Sequence, residues 1–191
     1  MMVDPAQDRL DAAQLPEGDV IRILLEQHVR IRELFVDVRS AMGGHKRQAF
    51  DELRALLAVH ETAEEMILRP ATRDTAKDVA DARNSEEDEA NHVLAKLEDM
   101  DVESADFATM FAEFEQAVDA HAEAEESQEF PIILREKSVE ERQKMGTRLL
   151  RAEKLAPTHP HPSTAGSTAA QWFVGPFASL VDRAKDAVSK D

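Results

Sequence analysis

Apolar side chains recur at spacings of three and four residues along four long stretches, which is the pattern of amphipathic helices that bury one face. The four stretches span residues 19–42, 46–69, 76–100 and 104–129. Gly43 and Gly44 end the first stretch, and Pro70 and Pro131 follow the second and the fourth. These residues are typical helix stops, so the connections are short. The pattern therefore predicts an all-α protein, an antiparallel up-down four-helix bundle.

The rest of the chain divides into segments of different character. We expect residues 1–18 to form an N-terminal lead-in, and residues 139–155 to add a short fifth helix, so that one domain covers residues 19–155. Residues 156–171 are rich in Pro, Ser, Thr, Ala and His, which is typical of a linker. Residues 172–191 form an amphipathic tail. The tail is expected to dock on its own bundle or on a protein partner.

Charge and composition narrow the possible functions. The formal net charge of −16 disfavours nucleic acid and anionic membrane surfaces as partners. No apolar run approaches the roughly 20 residues of a membrane span, and the N-terminus lacks the apolar core of a secretion signal. The sequence has no cysteine, which excludes disulfides, thiolate metal sites and thiol nucleophiles. A cysteine-free chain fits a reducing cytosol, so we expect a cytoplasmic protein.

The main chemical signal is a motif that occurs in the second and fourth predicted helices. His60 is followed by Glu64, and His121 by Glu125, in each case four positions later. Residues four apart lie on the same helix face, and here both residues replace apolar side chains in the core-facing stripe. A buried carboxylate is costly unless it is paired or binds a cation. Because no Lys or Arg occupies the stripe close to these motifs, we expect a metal to supply the positive charge.

His28 adds a third core-facing imidazole, from the first helix. In an up-down bundle, the C-terminal ends of helices two and four lie level with the early parts of helices one and three. All these side chains can therefore meet at one height. Imidazoles and carboxylates without thiolates suit iron or manganese, and also zinc. Two paired motifs with carboxylates able to bridge predict two metals, with open positions for O2, peroxide or solvent.

The third helix offers several candidate ligands. Its inner face, placed from Ala90, Val93 and Leu97, has Glu86 and then Glu89 close to it. His92 lies about 130° from the centre of that face at roughly 100° per residue. Glu86 and Glu89 are therefore the expected ligands from this helix, and His92 is the alternative.

The order of these residues resembles the hemerythrin-like (HHE cation-binding) domain: His28, then His60 and Glu64, then a ligand from helix three, then His121 and Glu125. The resemblance covers the four predicted bundle helices. It implies a bundle around two iron ions joined by an oxo or hydroxo bridge. It also implies that the two glutamates bridge the irons, while the histidines bind terminally.

The third helix departs from the family pattern. Members of the family carry two histidines there, at positions that fall on Glu86 and Ala90 in this sequence. The change disfavours reversible O2 carriage and favours redox or peroxide chemistry. We therefore expect a di-iron protein that reacts with O2, peroxide or nitric oxide, as a sensor, a scavenger or a catalase- or peroxidase-like enzyme. The alternatives are an iron- or O2-binding module without turnover and an interaction bundle with a vestigial metal site.

Overall fold

The computed structural model describes residues 5–154, 156 and 158, and within these residues the protein is helical, without strands. The elements are α1 (Pro5–Gln14), α2 (Val20–Ser40), α3 (Gly44–Arg73), α4 (Lys77–Glu98), α5 (Ala105–Ala124), a π-helical turn (Glu125–Glu129), α6 (Phe130–Glu136) and α7 (Val139–Glu153). Helices α2 to α5 are joined by short connections and form the antiparallel bundle. The predicted fold class is confirmed.

Local hydrogen bonds fix where the bundle helices begin. The Asp19 side chain accepts a hydrogen bond from the Ile21 backbone N–H at 3.0 Å, which caps α2. The same carboxylate accepts a second bond from Arg142 Nε at 2.7 Å, so the start of α2 is tied to α7. Between α2 and α3, Gly43 has a φ of +58°, a backbone conformation that glycine adopts without steric cost. This residue lets the chain reverse directly from α2 into α3.

The predicted helix ends at the two prolines are wrong. Pro70 lies inside α3, which continues to Arg73. Proline removes one backbone N–H, so it deprives a single carbonyl of its helical partner and need not end a helix that packing holds in place. Pro131 occupies the first turn of α6, directly after the π-helical turn Glu125–Glu129. Proline is well tolerated in a first turn, where the N–H has no helical acceptor.

Two separate apolar clusters fill the interior. The first joins α1, α2, α3, α6 and α7, with Leu24, Leu68, Ile133 and Leu149 at its centre. The second joins α2 to α5 and is rich in aromatic rings: Phe35, Phe50, Phe107, Phe111 and Phe114. In α2 the residues pass from one cluster to the other around His28, and in α3 they do so around His60 and Glu64. A polar layer therefore lies between the two clusters.

Helices outside the bundle complete the first apolar cluster. The predicted lead-in contains α1, whose Ala12 is buried against that cluster. The predicted fifth helix is α7, which packs against α2 and α3. The predicted linker and tail, from residue 159 onward, lie outside the described residues. Within the described part of the chain, no helix is both long enough and apolar enough to cross a membrane.

Candidate metal centre

The polar layer holds a cluster of imidazoles and carboxylates from three elements of the bundle. His28 comes from α2, His60 and Glu64 come from α3, and Glu125 is the first residue of the π-helical turn. One potential ligand atom from each of these four buried residues lies within 4.8 Å of those of the other three. The spacing of four residues in the α3 motif places His60 Nε2 3.5 Å from Glu64 Oε2. This first group can hold a metal ion.

A second group adjoins the first and shares two of its members. It consists of Glu64, Glu87, His121 and Glu125, again with one atom from each within 4.8 Å of the others. Glu125 faces the two groups with different oxygens: Oε2 lies 3.3 Å from His28 Nε2, and Oε1 lies 3.2 Å from His121 Nε2. Its carboxylate is thus placed to bridge two cations. The structure brings together His28, His60, Glu64, His121 and Glu125, all five of which the sequence indicates as ligands.

The helix-three candidates occupy different places from those expected. Glu87, which the sequence analysis did not select, is buried and belongs to the second group. Glu86 and Glu89 belong to neither group. His92 is exposed, and its Nδ1 donates to the backbone oxygen of Asp88 at 2.7 Å. The buried face of α4 is therefore turned by one residue from the predicted stripe.

The physical reason is that the inner face of α4 is itself polar. The buried residues of this helix are Ala80, Arg83, Glu87, Asn91, Leu94 and Leu97. Apolar periodicity cannot locate a face on which three consecutive buried positions carry polar groups. Ala90 and Val93, which set the predicted phase, are only partly buried, and both line a cavity.

Each of the three imidazoles is oriented by a partner outside the cluster. The Nδ1 atoms of the histidines donate to side-chain oxygens, from His28 to Glu126 at 2.6 Å, from His60 to Gln27 at 2.7 Å, and from His121 to Glu86 at 2.8 Å. Because Nδ1 carries the proton in each bond, Nε2 is the nitrogen free to bind a metal. Such partners fix ring orientation and raise ligand basicity. Glu86 thus contacts the site through His121.

Several atoms of the cluster residues have no hydrogen-bond partner although they are buried. They are His28 Nε2, both Glu64 oxygens, Glu87 Oε2, His121 Nε2 and Glu125 Oε2. Buried polar atoms without partners are rare because each costs free energy. Here the unpartnered atoms belong to residues of one cluster, and they are oxygen and nitrogen donors of the kind that divalent iron, manganese and zinc accept. The residues therefore fit a bound metal.

A buried guanidinium also lies in the cluster, so a metal is not the only possible source of the positive charge that the sequence analysis assigned to one. Arg69 on α3 forms ion pairs with Glu87, Glu125 and Glu129, and its Nη2 lies 3.6 Å from Glu64 Oε2. Arg69 is five residues after Glu64, beyond the stripe from which the sequence prediction was made. The Arg69 guanidinium thus supplies part of the positive charge that the buried carboxylates need.

Burial and neighbouring charges shift the pKa values of the cluster. Burial, with repulsion from His28, lowers the pKa of His60 to about 3, so this imidazole is neutral, the form that binds metal. Burial raises the pKa of Glu64 well above its usual range, and repulsion from Glu125 adds to this. Burial also raises the pKa of Glu87, to about 8, although Arg69 opposes it. Without a metal, burial therefore favours the protonated forms of these two carboxyl groups.

The pKa values of the other two histidines, His28 and His121, are raised instead. Burial alone would lower the pKa of His28, but the nearby carboxylates of Glu125 and Glu126 outweigh it and raise the pKa. For His121, burial is likewise outweighed, by the charges of Glu125 and Glu87 and by the hydrogen bond to Glu86. A metal that binds these nitrogens must displace protons.

A cavity of about 480 Å³ lies beside the cluster. His28, His60 and His121 are among the residues that line it, and its walls include apolar side chains of all four bundle helices: Ile31, Leu57, Val93, Phe114 and Val118. The cavity is large enough for small molecules to reach the imidazole side of the cluster.

Comparisons with known proteins bear on the family and the fold. A family model described as the hemerythrin HHE cation binding domain matches residues 19–133. An uncharacterized hemerythrin-like protein of Schizosaccharomyces pombe is 26% identical over 138 residues, which cover 70% of this chain and 68% of that protein. The crystal structure of a hemerythrin HHE cation binding domain-containing protein from Mycobacterium kansasii matches with a TM-score of 0.65 at 21% identity, covering 85% of this chain and 97% of that one. This structural match shows that the two chains share the fold.

Proposed function

This chain belongs to the hemerythrin HHE cation-binding family, and we propose that its buried His–Glu cluster binds two non-haem iron ions that react with peroxide or O2, with nitric oxide as a further ligand. The observation that carries the proposal is the pair of four-residue groups that share Glu64 and Glu125. Shared carboxylates between two imidazole-bearing positions are the arrangement that holds a pair of metals in helical bundles.

The two positions differ in their ligands. The first group has two imidazoles, His28 and His60, and the second has one, His121, together with Glu87. Carboxylates are harder ligands than imidazoles and stabilise higher oxidation states of iron. This composition supports redox turnover of peroxide over storage of O2.

Bound iron would supply the electrons for reduction of O2 or peroxide, and the chain controls access and orientation. The cavity beside the imidazoles has apolar side chains in its walls, among them Leu57, Phe114 and Val118, which would favour a small apolar molecule such as O2 there. Glu126 and Glu86 hold the Nδ1 protons of His28 and His121, which keeps each Nε2 aimed at the cluster. We also propose a reducing cytosol as the compartment, because the sequence has no cysteine.

The test is to load the metal-free protein with Fe²⁺ under anaerobic conditions, count bound iron, and record the absorption spectrum before and after hydrogen peroxide. Two iron ions per chain and catalytic loss of peroxide are expected. Zn²⁺-loaded protein is the matched control, since it occupies the same ligands without redox chemistry. Two bound irons without peroxide consumption would indicate that the protein binds iron without turnover of peroxide. No iron binding would contradict the proposal as a whole.

A further inference from the structure

Arg69 is an arginine whose guanidinium contacts both shared carboxylates of the cluster. Its side chain is only 3% exposed. One nitrogen, Nη2, pairs with Glu87 and Glu125, and lies 3.6 Å from Glu64 Oε2. These are three of the four members of the second group.

The position of Nη2 overlaps the place where a second metal would bind. It contacts Oε1 of Glu87 and Oε1 of Glu125. The same two oxygens face His121 Nε2, at 3.7 Å and 3.2 Å. A cation bound to His121 must take its oxygen ligands from this set, so it competes with the guanidinium for the same lone pairs and is repelled by its charge.

The first group does not face this competition to the same degree. The Glu125 oxygen that faces His28 is Oε2, the opposite oxygen from the one that Arg69 contacts. The two imidazoles of the first group are oriented by partners outside it: His28 by Glu126, and His60 by Gln27. Arg69 reaches this group only through the shared carboxylates.

Glu129 can keep the Arg69 guanidinium paired when a metal displaces Nη2 from the other carboxylates. It pairs with the other terminal nitrogen, Nη1, and also accepts a hydrogen bond from Thr72 Oγ1 at 2.6 Å. The π-helical turn begins at Glu125 and ends at Glu129, so it presents both carboxylates to the guanidinium. Arg69 can therefore release Glu87 and Glu125 without losing every buried partner.

We propose that Arg69 is a resident cation that substitutes for the second metal, so that the two positions fill in order, with the His28–His60 position first and the His121–Glu87 position second and more weakly. This inference rests on the proposed function, because it assumes that both groups bind metal. If the positions fill in this order, the protein with a single bound metal is the stable form when metal is scarce. Arg69 is a positioning residue here, since it acts through the ligand carboxylates.

The experiment titrates metal-free protein with Co²⁺, followed by its absorption spectrum, and repeats the titration with Fe²⁺ under anaerobic conditions. The wild type should bind two ions in two steps, with affinities at least about tenfold apart. In Arg69→Gln, the second step should tighten by about tenfold or more and the first by about threefold or less, because the competing charge is gone. Arg54→Gln is the control: Arg54 is equally buried on α3 and pairs with Glu98 at 3.3 Å, away from the cluster.

A second measurement covers the case in which metal-free Arg69→Gln does not fold. Protein isolated with metal bound is mixed with a chromogenic chelator, and metal release is followed in time. Two phases of equal amplitude are expected for the wild type, and slower release of the fast-dissociating ion in Arg69→Gln. Equal affinities in the wild type, or an Arg69→Gln variant whose two steps keep their separation, would overturn this inference and leave the proposed function standing. Absence of metal binding in the wild type would overturn both.

Discussion

His121 is held between two adjacent glutamates of α4 that contact opposite nitrogens of its ring. Nδ1 donates to Glu86 Oε2 at 2.8 Å, and Nε2 lies 3.7 Å from Glu87 Oε1. Neighbouring residues on a helix point about 100° apart, which lets one acid reach the outer edge of the imidazole and the next reach the cluster. Substitutions at these two positions should therefore have different effects.

We expect Glu87→Gln to lose the second metal, because it removes a charged ligand from the group that has one imidazole. Metal content after loading should fall from two ions per chain to one. Glu86→Ala should keep both ions but weaken the second by about tenfold, the usual size of effect when a partner that orients a histidine ligand is lost. His92→Ala is the control and should bind as the wild type does, since His92 is exposed. Metal analysis with equilibrium titration distinguishes these outcomes, and equal effects at both glutamates would contradict the geometry.

The fold could be predicted from the sequence because α2, α3 and α5 bury apolar residues at regular helical spacing. The cluster could be predicted in part, because His60 with Glu64 and His121 with Glu125 interrupt those stripes. Glu87 was missed because it belongs to a polar row of buried residues, Arg83, Glu87 and Asn91, which recur every four positions on α4. That regular spacing was the available signal.

Arg69 was missed for a different reason. It precedes Pro70, where the helix was expected to end, whereas α3 continues to Arg73. A side chain at a frayed helix end would be solvated, but Arg69 lies one turn before the end of a packed helix and is buried. Sequence spacing alone could not show this, since it depends on the packing that carries α3 past the proline.

His60→Ala should remove the first metal position while the protein stays folded. His60 is buried beside Glu64, and its loss leaves the shared carboxylates with a single imidazole in that group. We expect metal content to fall to one ion per chain or less, and the free energy of unfolding of the metal-free protein to drop by about 1–3 kcal/mol. Circular dichroism should still show a helical protein. His45→Ala, at an exposed histidine of the same helix, should change neither quantity.

Gly146 on α7 marks a close approach between helices. A Cβ atom at this position would lie 2.2 Å from the backbone oxygen of Gly18, which precedes α2. Gly146→Ala should therefore push α7 away from the start of α2 and lower the free energy of unfolding by about 1–3 kcal/mol. Gly44→Ala is the matched control, because a Cβ there meets nothing within 4 Å. Its effect should be neutral or slightly stabilising, since alanine favours helix more than glycine does. Chemical denaturation of the metal-free proteins measures the free energy of unfolding of both variants. If Gly146→Ala left this free energy unchanged, α7 and the start of α2 would have to separate readily.

Metal binding should release protons, and the affinity should fall as the pH falls. In the metal-free protein, burial holds the pKa of Glu64 well above its usual range and that of Glu87 at about 8, and Glu125 and Glu86 raise that of His121. These shifts favour the protonated forms, whereas a metal binds carboxylates and neutral imidazoles, so metal binding displaces protons. Lowering the pH populates the protonated forms further. The metal affinity should therefore be weaker at about pH 6 than at about pH 8.

Zn²⁺ titration in a weakly buffered solution with a pH indicator measures the protons released, and equilibrium titration at several pH values measures the affinity. Glu87→Gln is the informative variant, because it removes one of the groups that must lose a proton and should reduce the number of protons released per chain. Arg54→Gln should leave the count unchanged, since Arg54 contacts Glu98 and lies outside both groups. If Zn²⁺ bound without releasing protons, the carboxyl groups would already be ionised in the metal-free protein. Arg69 would then neutralise more of their charge than the raised pKa values of Glu64 and Glu87 imply.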